Sequence, residues 1–491
     1  MNASLLDSLH AILLSPEFYI LITAIAVLIW ESVGGKERPW VSSYLTLFGL
    51  FVTMLMSFGF KEPEGITFFG TYTHDGLAQF MNAIILIASV FTVFAASHFI
   101  GRWSKSPGTF YVILLFAAFG MMLMASASEL ITLFVAVETT TIALYILTAY
   151  FKDDRLSAEA SMKFILIGTV FATIMLFGMV LVYGATGTTV LSEITNAAAD
   201  SVFEGSEILL LSGIIMILVG LSFKITAVPF HMWAPDAYTG APTPVTAFLS
   251  VASKASGFAV IIRLYYGVFN QIAGLEPFLA NTFIILAGMT MILGNFLALP
   301  QKNIKRLLAY SSIAQAGYMI IGLAAYSDVG ISAILFYLTQ YMFANFGIFI
   351  VVTVVYNAVQ SDDMSAYMGL SRRSPFLALV LLICLLSLAG IPPLAGFIGK
   401  VYLFAAGIDK GYYILVTIGI LTSVVSVYYY LIVLKKAYIE KNADVSPIAI
   451  PFGAKASLWV AMLGVILTGV FPNFVVNSAQ VLGNFILANL K

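Results

Sequence analysis

The chain has 491 residues, of which 61% are hydrophobic and only 10% are charged, and its mean hydropathy is +1.00. Soluble proteins carry roughly 25% charged residues, so this composition predicts a protein that crosses a membrane many times. The formal net charge of -1 argues against nucleic acid as a partner, and the single cysteine, Cys384, excludes an intrachain disulfide framework.

Apolar runs of about 20 residues, each long enough to cross a ~30 Å hydrocarbon layer as a helix, recur along the whole chain. They predict an all-α multi-pass membrane protein with about 14 transmembrane helices, numbered spans 1 to 14. The predicted spans are 14–33, 40–60, 76–99, 107–127, 129–150, 161–184, 208–231, 244–268, 278–299, 306–326, 330–356, 375–400, 411–434 and 456–474. The tail after span 14 either extends that helix or lies along the membrane surface.

The basic residues in the loops and at the adjoining ends of the spans are distributed unevenly between alternate loops. Fifteen lie in loops that follow odd-numbered spans, and four, Lys61, Arg263, Lys410 and Lys491, lie in the other loops and the tail. Because cytoplasmic loops are enriched in lysine and arginine, the odd-numbered loops are predicted to face the cytoplasm. An even number of spans then places both termini on the periplasmic side of a bacterial inner membrane.

Two spans contain prolines that predict a break in the helix. Span 7 reads SFKITAVPFHMW around Pro229, and span 12 reads SLAGIPPLAGFIGK around Pro392 and Pro393. Proline removes a backbone donor, and unwound backbone survives within a membrane only where it is buried in protein or lines a wet cavity. The breaks lie five spans apart, which indicates two inverted five-helix repeats, helices 4–8 and 9–13. The alternative is a pair of independent proline kinks.

These repeats divide the chain into four predicted domains. Residues 1–106 hold spans 1–3, residues 107–270 form the first repeat and residues 271–436 form the second. Residues 437–491 hold span 14 and the tail. Sequence similarity between the two repeats is weak, so the division depends on the spacing of the breaks.

Four ionisable residues stand inside otherwise apolar spans: Glu138 in span 5, Lys224 in span 7, Lys254 in span 8 and Lys400 in span 12. Lys254 lies about 15 Å into its helix, half the hydrocarbon thickness, which is too deep for its amine to reach the headgroups. A charge at that depth is costly unless it is paired or wetted, so these residues are candidate proton carriers. A Lys–Glu pair whose separation changes has a tunable proton affinity. The alternative is a static ion pair that orients two helices.

Further candidates lie near these groups. His231 follows the break in span 7 and is either a relay or an ordinary hydrogen-bonding residue. Span 11 carries polar residues that either hold water between Lys254 and Lys400 or join two helices by hydrogen bonds. They are Tyr337, Gln340, Tyr341 and Asn345. The sequence shows no metal-ligand motif and no glycine-rich phosphate loop.

The segment FKITAVPFHMWAPDAYTGAPTPVTAFLSVASKASGF, residues 223–258, resembles the signature of the antiporter-like membrane subunits of respiratory complex I, the bacterial-type NADH:quinone oxidoreductase. Within that family, NIKRLLAYSSIAQAGY at 303–318 and the lysine at position 400 are similar to the subunit N branch. The subunit M branch is expected to have a glutamate in place of Lys400, and the subunit L branch a longer C-terminal helix. The resemblance covers nearly the whole chain.

The resemblance implies a proton-translocating subunit that couples quinone reduction elsewhere in the complex to proton pumping. It implies that Glu138 and Lys224 form a pair, that Lys254 is the central connecting lysine and that Lys400 is the terminal one. It also implies no cofactor in this chain, with flavin, iron–sulfur clusters and quinone in partner subunits. Those partners include neighbouring antiporter-like subunits within the lipid bilayer. Some relatives carry a histidine in span 11, where this chain has Gln340 and Tyr341.

Two other functions fit the same features. One is a subunit of a multi-subunit Na⁺/H⁺ antiporter, which shares the fold and the lysines but is disfavoured by the PDAYTGAP segment. The other is a membrane subunit of a ferredoxin-dependent or hydrogenase-type relative, which the sequence separates poorly. The electron donor, the quinone and the choice between H⁺ and Na⁺ stay open.

Overall fold

The computed structural model describes residues 15–34, 38–59, 66–67, 70–102, 106–203, 207–272, 274–442 and 446–488. Within these residues the chain is almost entirely helical. The helices are α1 Pro16–Val33, α2 Pro39–Gly59, α3 Gly76–Phe99, α4 Pro107–Ser126, α5 Leu130–Thr148, α6 Arg155–Thr186, α7 Leu191–Phe203, α8 Glu207–Lys224, α9 Ala234–Gly240, α10 Thr243–Gly267, α11 Glu276–Ala298, α12 Ile304–Ala325, α13 Asp328–Val359, α14 Leu370–Arg373, α15 Pro375–Ala389, α16 Ala395–Asp409, α17 Tyr413–Tyr438, α18 Phe452–Val470 and α19 Asn473–Ala488. Two short strands, β1 Ile66–Thr67 and β2 Tyr72–Thr73, pair antiparallel between α2 and α3.

Thirteen helices in the described part of the chain are long and apolar enough to cross a membrane: α1–α6, α8, α10–α13, α17 and α18. The remaining crossing, span 12, is made by α15 and α16 together, which have 15 residues each. The predicted all-α fold with about 14 spans is therefore confirmed. Neither half of span 12 reaches the length of a full span because the helix is interrupted between them.

The loops gather on two opposite faces of the bundle, the odd-loop face and the even-loop face, named after the spans that they follow. On the odd-loop face the Met364 amide donates to the carbonyl of Lys302 at 2.9 Å. On the even-loop face the Ser128 amide donates to the carbonyl of Thr71 at 3.0 Å. Consecutive spans thus run in opposite directions, as their alternation predicts.

Spans 4–8 and spans 9–13 repeat one architecture. The third helix of each unit, α6 or α13, has 32 residues. The residue before the second helix bridges to the segment after the third helix, Glu129 to Val190 in one unit and Asn303 to Asp363 in the other. The first bridge lies on the even-loop face and the second on the odd-loop face, so the units are inverted. The exact domain boundaries stay a prediction.

Both predicted breaks are present, but span 7 is shorter than the predicted 208–231. Helix α8 ends at Lys224, and residues 225–233 are not helical before α9 begins. Pro229 lacks an amide donor, and its ring would clash with the carbonyl four residues earlier, so the helix ends although the residues that follow are still apolar. In span 12, residues 390–394 separate α15 from α16. Each break contains one cis peptide bond, Val228–Pro229 or Pro392–Pro393.

Hydropathy also missed two features around span 6. Helix α6 begins at Arg155, before the predicted residue 161, because the Asp154 side chain caps the Leu156 amide at 3.0 Å and the first turns are polar. Helix α7 occupies residues that were predicted as loop 185–206. A helix of 13 residues that carries acidic groups has no hydropathy signal of a span.

Helices α10 and α12 form the centre of the bundle and are buried along nearly their whole lengths. The tail forms α19, which lies on the even-loop face. There the Ser332 hydroxyl, near the start of α13, donates to the Ala479 carbonyl of α19 at 3.1 Å. Leu482 packs against Gly76 at the start of α3. The tail therefore lies along the surface of the bundle and does not extend span 14. Residues 1–14 and 489–491, the predicted periplasmic termini, lie outside the described residues.

Candidate functional site

Lys254 lies at the centre of the protein. It is the twelfth residue of α10, is only 1% exposed, and is surrounded by neutral groups. Its Nζ donates to the carbonyl of Ser312 on α12 and to the Ser312 hydroxyl at 2.5 Å. The Tyr341 hydroxyl of α13 donates to the same Ser312 oxygen at 2.8 Å. Lys254 is therefore held by one hydroxyl and one carbonyl rather than by a carboxylate.

Glu138 and Lys224 lie close together where α5 passes the end of α8. The Lys224 amine donates to the hydroxyl of Thr141, with the Val137 carbonyl at 3.5 Å. The Glu138 side chain is half-buried, and its Oε1 atom is buried without a hydrogen-bond partner. The structure therefore places Lys224 beside the turn of α5 that carries Glu138 but gives its amine a neutral partner. The predicted Glu138–Lys224 pair stays a prediction.

Lys400 follows the break in span 12, and its side chain turns back toward the end of the preceding half-helix. Its Nζ donates to the carbonyls of Leu388 and Ala389, both at 3.0 Å, and to the Ser423 hydroxyl of α17 at 2.8 Å. The last carbonyls of a helix carry partial negative charge, so the end of α15 stabilises a cation there. The Tyr318 ring lies 4.8 Å from the amine and adds a cation–π contact.

A polar stripe on α12 connects the neighbourhoods of Lys254 and Lys400. Next to Ser312, the Ser311 hydroxyl hydrogen-bonds the Tyr430 hydroxyl of α17. Gln315, one turn further along, donates its amide to Tyr430 and to the Leu388 carbonyl, both at 3.2 Å. That carbonyl is one of the two that Lys400 contacts. The sequence analysis did not predict this stripe, although the polar run SSIAQ at residues 311–315 inside an apolar span indicates it.

The span 11 candidates lie beside this stripe. Tyr341 reaches Ser312, and the Tyr337 hydroxyl donates to the Gln315 side-chain oxygen. Gln340 is fully buried, and neither atom of its amide has a hydrogen-bond partner within 3.5 Å. A buried amide of that kind matches the sites at which ordered water is found in proteins. Tyr341 therefore lies beside the partner of Lys254 and Tyr337 beside Gln315, whereas the water-holding role of Tyr337, Gln340 and Tyr341 stays a prediction.

His231 lies apart from this chain of contacts, in the non-helical segment between α8 and α9. It is half-buried, and its Nδ1 atom is buried without a hydrogen-bond partner. The neighbouring Met232 is 72% exposed, so the segment lies near the protein surface. Among the described residues, no hydrogen bond joins the His231 side chain to the buried lysines, and its relay role stays a prediction.

The buried groups lie at similar depths. Thr141 is about 16 Å along α5 from the even-loop face, Lys254 about 16 Å along α10 from the odd-loop face, and Ser423 about 15 Å along α17 from the even-loop face. Each value is close to half of a ~30 Å hydrocarbon layer. Thr141, Lys254 and Ser423, and with the last two the amines of Lys254 and Lys400, therefore lie near the mid-depth of the bundle.

A charged cluster on the odd-loop face joins the two repeats. Asp236 of α9 bonds Lys163 of α6 at 3.0 Å and Arg306 of α12 at 2.8 Å, beside a cavity of about 230 Å³. Burial raises the pKa of Asp236, but the hydrogen bonds and charges of Lys163 and Arg306 outweigh it, so the pKa lies below its ordinary value. Asp236 is thus a fixed negative charge at neutral pH.

Lys305 is one of the fifteen basic residues in the odd-numbered loops. It is buried, and its Nζ atom lies 3.4 Å from a carboxylate oxygen of Asp362.

Comparison with known proteins identifies the family to which the chain belongs. Residues 127–426 match the family model described as NADH:quinone oxidoreductase/Mrp antiporter, transmembrane. The chain is 43% identical over 442 residues to NADH-quinone oxidoreductase subunit N of Moorella thermoacetica, covering 89% of this chain and 91% of that relative.

Two solved structures extend the comparison. A chain of respiratory complex I from Thermus thermophilus with bound aureothin is 31% identical, with a TM-score of 0.78 over 94% of this chain and 98% of that one. A chain of the Mrp complex from a Dietzia species has a TM-score of 0.82 over 97% of this chain and 98% of that one. Its sequence is only 18% identical. The second likeness therefore shows the shared fold alone.

Proposed function

Because this chain belongs to the family of NADH:quinone oxidoreductase and Mrp antiporter membrane subunits, we propose that its buried lysines carry the protons that such a complex pumps. The chain is an antiporter-like subunit of the subunit N type in a proton-translocating NADH:quinone oxidoreductase, and it assembles with other subunits of that complex. The observation that carries the proposal is that neighbouring polar residues of α12 reach both lysines: Ser312 bonds Lys254, and Gln315 donates to the Leu388 carbonyl that Lys400 also contacts.

In this proposal Glu138 and Lys224 form one titrating unit, Lys254 the central carrier and Lys400 the terminal one. The Lys254 ammonium passes a proton to the Ser312 hydroxyl as that hydroxyl passes its own proton onward. Water and the hydroxyls of Tyr337 and Tyr430, both hydrogen-bonded to Gln315, continue the path. Lys400 in its deprotonated form receives the proton at the far end. Each transfer moves one proton and leaves the hydroxyls unchanged.

The redox chemistry belongs to other subunits in this proposal. Flavin, iron–sulfur clusters and quinone are held by partner chains, and this chain contributes only proton transfer. Its one cysteine, Cys384, is fully buried in α15 and is suited to packing rather than to cluster ligation. Quinone reduction in the partner subunits drives proton transfer along this path, through electrostatic or conformational change at the contacts between subunits.

We expect Lys224→Ala and Glu138→Ala each to lower proton pumping and coupled quinone reduction by about tenfold or more, because general acid–base groups contribute at least that much. Removal of one buried partner also costs ~3–5 kcal/mol locally, so complex levels must be matched. The measurement is quinone reductase activity and proton uptake in membrane vesicles. Glu207→Ala, an exposed acid on α8, and Lys435→Ala, an exposed lysine on α17, are the controls. Wild-type pumping in both test variants would overturn the assignment.

We also propose that the odd-loop face is cytoplasmic in a bacterial inner membrane and that both termini are periplasmic. The 15-to-4 division of basic residues supports this orientation. In a Cys384→Ser background, an impermeant thiol reagent on intact cells is expected to label a cysteine at position 195 on the even-loop face. A cysteine at position 365 on the odd-loop face is expected to react only after cells are opened. The reverse pattern contradicts the orientation.

A further inference from the structure

Thr141 lies beside the buried amine of Lys224, on the side of α5 that faces α8. The Lys224 amine donates to the Thr141 hydroxyl, and Thr141 donates its own proton to the Val137 carbonyl at 2.5 Å. A hydroxyl whose proton is given to the backbone offers only lone pairs to the ammonium group. Thr141 is 2% exposed, so no bulk water competes for this contact. It is therefore a well-defined neutral acceptor for Lys224.

Glu138 offers a second acceptor on the same helix. It lies three residues before Thr141, which is about 4.5 Å along the helix axis. One carboxylate oxygen of Glu138 is buried and has no hydrogen-bond partner, so it is available to a donor. A lysine side chain moves its amine over such a distance by changing rotamers, without backbone movement. Lys224 thus has a neutral and a charged acceptor within reach.

We propose that Thr141 is a positioning residue that holds the Lys224 amine away from Glu138 between proton transfers. A permanent Lys224–Glu138 ion pair would fix the proton on the lysine and the charge on the glutamate. The Thr141 contact offsets that attraction, so the amine alternates between two partners. This inference rests on the proposed proton-carrying role of Lys224.

The second repeat provides independent support. Thr141 lies twelve residues after the bridging residue of its repeat, and Gln315 lies twelve residues after the corresponding residue of the other repeat. Gln315 also lies beside the lysine of a broken helix, because the Gln315 amide and the Lys400 amine both donate to the Leu388 carbonyl. Both repeats therefore place a neutral polar side chain at the same position beside the break.

The test uses the intact complex with three substitutions in α5. Thr141→Val keeps the shape and removes the hydroxyl, whereas Thr141→Ser keeps the hydroxyl. Thr140→Val is the matched control, because Thr140 is equally buried but bonds only its own helix and Met124. Loss of a hydrogen bond to a charged group is expected to lower the pumping rate roughly tenfold in Thr141→Val. Thr141→Ser and Thr140→Val are expected to stay within about twofold of the wild type, well short of that effect.

A structure of the Thr141→Val complex gives a readout that a merely structural role would not change. The Lys224 amine is expected within ~4 Å of a Glu138 oxygen, the distance of an ion pair. Unchanged pumping in Thr141→Val while Lys224→Ala is inactive overturns the role of Thr141 and leaves the proposed function standing. Equal losses in Thr141→Ser and Thr141→Val overturn it as well. Normal pumping in Lys224→Ala instead removes the proposed proton-carrying role of Lys224, on which this inference rests.

Discussion

Lys254→Met is expected to abolish proton pumping, with coupled quinone reduction falling ~100-fold, the scale of a lost acid–base group. Methionine keeps an unbranched chain of similar length, so the packing of α10 is preserved. The substitution also removes a buried cation that has only neutral partners, so no carboxylate is left unpaired. Stability is therefore expected to change little, and the loss reports on proton transfer itself. Proton uptake by vesicles that hold the purified complex measures it.

The control for Lys254→Met is Lys435→Met, because the Lys435 side chain is 63% exposed on the odd-loop side. That variant is expected to pump normally. A Lys254→Met complex that pumps at the wild-type rate would show that no proton passes through Lys254. Ser312→Ala separates the two halves of the contact, since it removes the hydroxyl and leaves the Ser312 carbonyl. An intermediate loss of proton pumping is expected for Ser312→Ala, because the Ser312 carbonyl still accepts a hydrogen bond from Lys254.

Lys400→Arg is expected to stop pumping although the charge is kept. Arginine stays protonated across the working range and cannot release its proton. The site is also closely fitted to a lysine, since a Cβ at Gly390 would lie 3.0 Å from the Lys400 Cδ atom. Lys400→Gln separates size from titration, because glutamine is smaller than arginine and its neutral amide carries no transferable proton. We expect both variants to lower the proton-to-electron ratio of reconstituted vesicles.

Lys410→Arg serves as the control, because Lys410 is exposed on the even-loop face just after the same helix. It is expected to leave the ratio unchanged. Normal pumping in Lys400→Arg would show that Lys400 acts only through its fixed positive charge and is not the terminal proton carrier. Normal pumping in Lys400→Gln would show that Lys400 carries no proton and only caps the carbonyls at the end of α15.

The fold was largely predictable because it depends on local properties of the sequence. Span length, hydropathy and proline position predicted the crossings and both breaks, since each helix satisfies its own backbone in lipid. The end of α8 at Lys224 was not predicted, because the residues after it are as apolar as those before it. Helix α7 was missed for the opposite reason, as its polarity resembles that of a loop.

The candidate carriers were likewise visible, because a lysine or glutamate in an apolar run stands out from its neighbours. Their partners were not visible. Ser312 is 58 residues from Lys254, and Tyr430 is 119 residues from Ser311, so helix packing alone decides these contacts. The same packing gives Lys224 a threonine rather than Glu138, and it turns Lys400 back onto the end of α15. The sequence by itself determined which groups are buried in the membrane, because the chemistry of a side chain is local. Only the tertiary structure decided which atoms each amine meets, because those atoms come from other helices.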